Sequence, residues 1–231
     1  MEAAVNDWRA SFEHPFLQAL LNGTLSDKRF RFYQMQDARY LEAYADSCSI
    51  ISVRFKDIER KLWFIDGARL SLVVERELHE EYGRKLGYTA QDIANLELSP
   101  ANRAYQNHLL VSAQKETLLT AVAALAPCPW LYSDIGLLVN HRLPDLSESH
   151  PYADWLTTYA DPVFVTYTNE LLAHLQFLAD QYPDSDHHRE AIEAFVLSTR
   201  YELMFWEQAW DLQGWQAEQD VRSGIGMEGT A

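Results

Sequence analysis

Apolar and aromatic side chains recur along this chain at the 3.6-residue period of a helix, and no run alternates with period two for more than a few residues. A sheet has no obvious source, so the chain is confined to all-α architectures. Nine glycines and eight prolines fall mostly at the seams between periodic segments. These seams predict a helix from Asp7 to Leu21 ended by Asn22-Gly23, a long one opened by Ser26-Asp27 and running to about Phe55, and a third from Asp57 to Leu86 stopped by Gly87. Ser99-Pro100 starts a helix through Tyr105 to about Lys115. Leu118 to Ala126 then leads into Pro127-Cys128-Pro129, where one helix is expected to stop and another to continue from Trp130 to Arg142. After a polar loop from Pro144 to His150 come a short helix from Pro151 to Tyr159, one opened by Asp161-Pro162 through Tyr182, and a last one from Ser185-Asp186 to about Leu212. With 231 residues, 48% of them hydrophobic, the chain can bury one core, so 1–212 reads as a single helical bundle and 213–231 as a loosely ordered tail.

Charge narrows the partners. There are 34 acidic against 19 basic side chains, a formal charge of -15, and no cluster of Lys or Arg interrupts the acidic background. Nucleic acid and anionic membrane both need a basic footprint, and neither is an expected partner. Apolar runs such as Leu118 to Leu125 fall short of the roughly 20 residues that span a bilayer, and the N-terminus lacks a basic, apolar signal pattern. The expected location is the cytoplasm. Two cysteines make no disulfide framework, and a reducing compartment leaves both as thiols.

Polar groups set among aromatic ones carry the chemistry. Tyr33, Asp37, Tyr40 and Tyr44 stand at i, i+4, i+7 and i+11, which puts a carboxylate on one face with three phenols. The bland alternative for Asp37 is an ion pair with an arginine on another helix, since a charge on a core-facing stripe is costly unless paired. Glu202, Phe205 and Trp206 share a face of the last helix, and burial against rings would raise the Glu202 carboxyl toward neutrality, as a general acid requires. Cys128 sits between two prolines just ahead of Trp130 and Tyr132, at an expected helix start that would favour a thiolate. Cys48, one turn beyond Tyr44, reads as packing. A helical bundle builds its sites from facing helices, so the separation of Asp37, Cys128 and Glu202 in sequence is no obstacle.

These residues also carry a family resemblance. Gln36-Asp37-Ala38-Arg39-Tyr40-Leu41, Pro127-Cys128-Pro129-Trp130-Leu131-Tyr132, Trp155-Leu156-Thr157-Thr158-Tyr159 and Tyr201-Glu202-Leu203-Met204-Phe205-Trp206 resemble the ordered motifs of the thiaminase II (TenA) family, and His14-Pro15-Phe16 followed by Gly23 resembles its N-terminal signature. The likeness runs from about Phe12 to Trp210. It implies a haem-oxygenase-like helical bundle, usually a homotetramer, that needs no cofactor or metal. The implied activity is hydrolysis of 4-amino-5-aminomethyl-2-methylpyrimidine, and in many members of thiamin, to the hydroxymethylpyrimidine salvaged for thiamin synthesis. By motif matching, Cys128 is the nucleophile, Glu202 the acid/base, Asp37 the carboxylate that reads the aminopyrimidine edge, and Tyr40, Tyr105, Tyr132, Tyr159 and Phe205 the aromatic lining. One branch of the family replaces this cysteine by a glutamate elsewhere, and Cys128 places the chain outside it.

Two other readings start from different residues. Glu75 and His79 at i, i+4, with His14 in the first helix, suggest a metal or haem site, although the Glu-x-x-His pairs of helical di-iron sites are absent and a solvated face accounts for the glutamates. His187-His188 beside Asp184 and Asp186 read as surface residues. A non-catalytic pyrimidine-binding or regulatory protein is the third reading; its mark would be tight binding without turnover.

Overall fold

The computed structural model describes residues 2–147, 149–183 and 185–215, and within them the side chains of all but 74–79. Eleven α-helices and one short 3-10 turn account for the regular structure, and the described residues contain no strand, as the periodicity predicts. Two helices open the chain, α1 Val5–Glu13 and α2 Pro15–Leu21. The single helix expected over Asp7 to Leu21 is broken at His14, because Pro15 forces its predecessor out of the helical region (ψ 135). His14 Nδ1 then accepts from the Phe16 amide at 3.1 Å and caps α2, a structural use of the side chain considered above as a haem ligand.

The long helices lie close to expectation. Ser26 caps α3 (Asp27–Arg54), Asp57 caps α4 (Ile58–Leu86), and Gly87 at φ +70 closes α4 in a left-handed turn that a Cβ would strain. A short helix not anticipated, α5 (Ala90–Ala94), is nucleated by a capping box between Thr89 and Asp92. Ser99 caps α6 (Pro100–Ala113), Thr117 caps α7 (Leu118–Leu125), and α8 spans Pro127–Arg142. The chain ends with α9 (Ala153–Ala160), α10 (Pro162–Gln181) capped by Asp161, and α11 (Ser185–Asp211). Trp215 Nε1 donates to the Leu98 carbonyl at 2.8 Å and ties down the start of the expected tail; residues 216–231 lie outside the described residues.

The passage from α7 to α8 differs from expectation. Ala126 keeps helical dihedrals (φ -61, ψ -36) and accepts from the Trp130 amide at 3.2 Å, so Pro127-Cys128-Pro129 joins two helices without leaving helical conformation. Proline fits there because a first-turn amide needs no intrahelical partner. The combined stretch 118–142 is long and apolar enough to cross a membrane, contrary to the lengths read from the sequence, yet 72% of its most apolar window is buried inside the protein. It is a largely buried segment of the core.

Around it pack Phe16, Tyr33, Trp155 and Trp206, all fully buried, with Phe16 stacked on Trp206 at 5.2 Å. Each such ring contributes on the order of 2 kcal/mol by burial. A buried polar network ties α3 to α6: Asn102 Nδ2 donates to the Gln36 carbonyl (2.8 Å) and Oε1 (2.7 Å), and Gln36 Oε1 also accepts from the Ser99 amide. Ser99 Oγ in turn bonds Gln208 on α11. This network holds together the three helices that carry Asp37, Tyr105 and Glu202.

Candidate functional site

Cys128 occupies the second position of α8 and is half-buried, with its side chain on the wall of a cavity of about 380 Å³. Asp37 from α3 lines the same cavity, as do Tyr132 from α8 and Tyr159 from α9. Behind Cys128 stands Glu202, 2% exposed, whose Oε1 accepts from Tyr105 Oη at 2.6 Å and whose carboxylate also shares a hydrogen bond with the Cys128 thiol. Burial pushes the Glu202 carboxyl up to about 7, against the opposing pull of those two hydrogen bonds. At neutral pH this group both holds and releases a proton, and it touches the thiol.

The remaining aromatic residues named from the sequence form the layer behind the cavity. Tyr105 packs against Tyr40 at 4.8 Å, and Tyr40 meets Phe205 edge-on at 5.7 Å. All three are buried. The Tyr40 hydroxyl lies near Tyr105, Cys128 and Glu202 without reaching a hydrogen bond of ordinary geometry. Burial first, and then these neighbouring acidic groups, push both phenols well above their ordinary range, so both stay neutral, and Tyr105 is the donor to Glu202. Tyr132 and Tyr159 meet edge-to-face at 4.7 Å, and Tyr132 Oη is paired with Tyr33 Oη at 2.8 Å. The structure therefore gathers Asp37, Cys128, Glu202 and the five rings into one region, with Asp37, Cys128, Tyr132 and Tyr159 on its open face.

Several lining residues were given no role in the site from the sequence. Tyr44 and Tyr167 share a hydrogen bond on the cavity wall, hydroxyl to hydroxyl at 3.3 Å, and Leu70, Ser71, Thr158 and Phe164 also line it. Tyr44 had a signal, since it lies on the stripe of Asp37; Tyr167 and Phe164 carried none beyond aromaticity. A second support lies under the junction of α7 and α8. Ser198 Oγ donates to the Ala124 carbonyl at 2.7 Å and accepts from His108 Nε2 at 3.0 Å, which ties α11 and α6 to the end of α7. Cys48 is fully buried and its thiol is pushed up by desolvation, as a packing residue would be.

No group of three His, Cys, Asp or Glu among the described residues is placed to hold a metal ion, and the side chains of Glu75 and His79 lie outside the described residues. His188 Nε2 contacts the Ala179 carbonyl at 3.1 Å and the Tyr182 carbonyl at 2.5 Å; Asp184 lies outside the described residues.

Comparison with known proteins places this geometry. The aminopyrimidine aminohydrolase of Bacillus subtilis is 31% identical over 214 residues, 92% of this chain and 89% of that protein. A TenA homologue from P. horikoshii superposes with a TM-score of 0.81 at 28% identity, over 91% of this chain and 95% of the other. A domain with a heme oxygenase-like fold from Shewanella denitrificans, at 12% identity, superposes at 0.70 over 91% and 90% of the two chains, so the bundle has that fold. The TENA/THI-4/PQQC family matches residues 2–212, and the chain belongs to it.

Proposed function

We propose that this chain is an aminopyrimidine aminohydrolase of the cysteine-containing branch, which converts 4-amino-5-aminomethyl-2-methylpyrimidine, and thiamin where the leaving group fits, to the 5-hydroxymethyl compound for thiamin salvage. What carries the reading is the contact of a cavity-lining thiol with a buried carboxyl that titrates near neutrality. An amine on an exocyclic methylene is a poor leaving group. Addition of the Cys128 thiolate to the ring breaks its aromaticity and pushes an electron pair toward that methylene, and the C–N bond breaks as Glu202 delivers a proton to the departing nitrogen. Glu202, now ionised, takes a proton from the water that adds to the methylene, and loss of the thiolate restores the ring. Such proton transfers contribute about 10² to 10⁴ in rate.

Asp37 accepts from the exocyclic amino group and from the adjacent ring nitrogen in its protonated form, and these charge-assisted hydrogen bonds fix the orientation of the ring. Tyr132 and Tyr159 form an aromatic wall for the ring, while Tyr40, Tyr105 and Phe205 back the thiol and carboxyl. The family relation also supports assembly with further copies of this chain, a tetramer by resemblance. The exposed apolar residues Ile58, Leu62, Ile65, Leu72 and Val73 on one helix, α4, suit such an interface. A small-molecule substrate and a cytoplasmic location complete the reading; the charge of -15 disfavours nucleic acid. Steady-state assay with the aminopyrimidine and with thiamin tests it. Release of ammonia is expected from the first, and turnover undiminished in Cys128→Ser would overturn the mechanism.

A further inference from the structure

Gly136 touches neither the cavity nor the reacting groups, yet it marks the tightest helix contact of any glycine among the described residues. A Cβ placed on it would lie 2.0 Å from the Tyr159 carbonyl oxygen, 2.4 Å from the carbonyl carbon and 2.8 Å from the Ala160 nitrogen. These are backbone atoms, so no side chain can swing aside to relieve the clash. By contrast, the Cβ of Gly67 would meet the hydroxyl end of Tyr167 at 3.3 Å. A glycine in the middle of α8 gives up helix propensity relative to alanine, and close backbone approach is the usual return for that loss.

The other end of α9 is fixed independently. The Trp155 amide donates to Tyr82 Oη at 3.2 Å, and the Trp155 side chain is fully buried. A bump at 136 would therefore swing the C-terminal end of α9, where Tyr159 stands against Tyr132 and where Asp161 caps α10 through the Val163 amide (2.7 Å). We propose that Gly136 is a positioning residue for the substrate ring, which sets where Tyr159 stands on the cavity wall by letting the α9 backbone rest directly on α8. This rests on the aminopyrimidine reading above. Misplacement of a binding wall by about 1 Å can cost up to 10²-fold. Because Tyr159 touches the ring both before and during reaction, the loss falls on binding rather than on the chemical step.

The test compares Gly136→Ala, Tyr159→Ala and the double variant with the wild type, reading KM and kcat for the aminopyrimidine and Kd by calorimetric titration. Gly136→Ala is expected to raise KM and Kd about tenfold with kcat within about threefold. The double variant is expected to bind no worse than Tyr159→Ala, since the glycine acts through that residue. A folded Gly136→Ala with unchanged KM and Kd overturns the proposal, and so do additive losses in the double variant. Where Gly136→Ala fails to fold, unchanged affinity in Tyr159→Ala still overturns it. A wild type that binds the aminopyrimidine without turnover refutes the hydrolase reading and leaves the role of Gly136 to be judged by Kd. A wild type that neither binds nor turns over refutes both.

Discussion

Replacing Glu202 by glutamine should make the protein more stable as it destroys activity, and the size of the gain follows from burial. The carboxyl stands at about 7 in the folded chain against an ordinary 4.5. At about 1.4 kcal/mol per pH unit, that difference makes ionised Glu202 cost the fold about 3 kcal/mol. Below about pH 4.5 the group is protonated whether the chain is folded or not, and the cost is absent. As pH rises from 4.5 toward 7 the unfolded chain releases the proton and the folded one retains it, so stability is lost progressively, and above 7 the loss is complete. Glutamine keeps an acceptor for Tyr105 Oη and carries no charge to desolvate. At about 2 to 4 °C per kcal/mol for a chain of this size, Glu202→Gln is expected to melt roughly 6 to 12 °C above wild type at pH 8.5, and level with it at pH 4. Thermal unfolding of both proteins by circular dichroism across that pH range is the assay. Equal Tm at pH 8.5, or a gain of the same size at pH 4, would show that the carboxyl is not under this strain.

Two further outcomes concern the site. Tyr105 favours the ionised form of Glu202 through its hydrogen bond, so Tyr105→Phe should raise the carboxyl further and move the alkaline limb of the kcat/KM profile, which belongs to the Glu202 and Cys128 pair, to higher pH. A limb that stays in place, or moves to lower pH, contradicts that role. Asp37→Asn replaces a charge-assisted acceptor by a neutral one, and KM for the aminopyrimidine should rise about 10- to 100-fold in a protein of unchanged Tm; steady-state kinetics beside a melting curve reads both.

Much of the fold could be read because helix ends are written in local chemistry. Ser26, Asp57, Ser99 and Asp161 each cap the helix expected of them, and Gly87 closes α4. The misses have physical causes. At His14-Pro15 the proline acts on the residue before it, a restriction that helical periodicity does not display. At Pro127-Cys128-Pro129 the expected stop did not occur, because both prolines fall within the first turn of α8, where they are tolerated. The box at Thr89 and Asp92 was visible as a Thr-x-x-Asp spacing, but with five residues behind it α5 left little periodicity to detect. In the site, Asp37, Cys128 and Glu202 could be found because polar groups in aromatic settings are rare. Tyr167 and Phe164 could not, since an aromatic on a helix face is ordinary and acquires meaning from what stands opposite.

Cys128, Tyr132 and Gly136 follow one another at intervals of four on α8, so the thiol, a ring wall and the seat for α9 share one stripe of a continuous core helix. Inserting or deleting a single residue between them would turn everything downstream by about 100° and break the register of the thiol with the ring wall or with the seat for α9. Over evolutionary time this segment can exchange side chains but not length. Insertions have to be taken up elsewhere, at connections such as Pro144 to His150, and a natural chain with a shifted Cys-x-x-x-Tyr-x-x-x-Gly spacing would need a different route to the same chemistry.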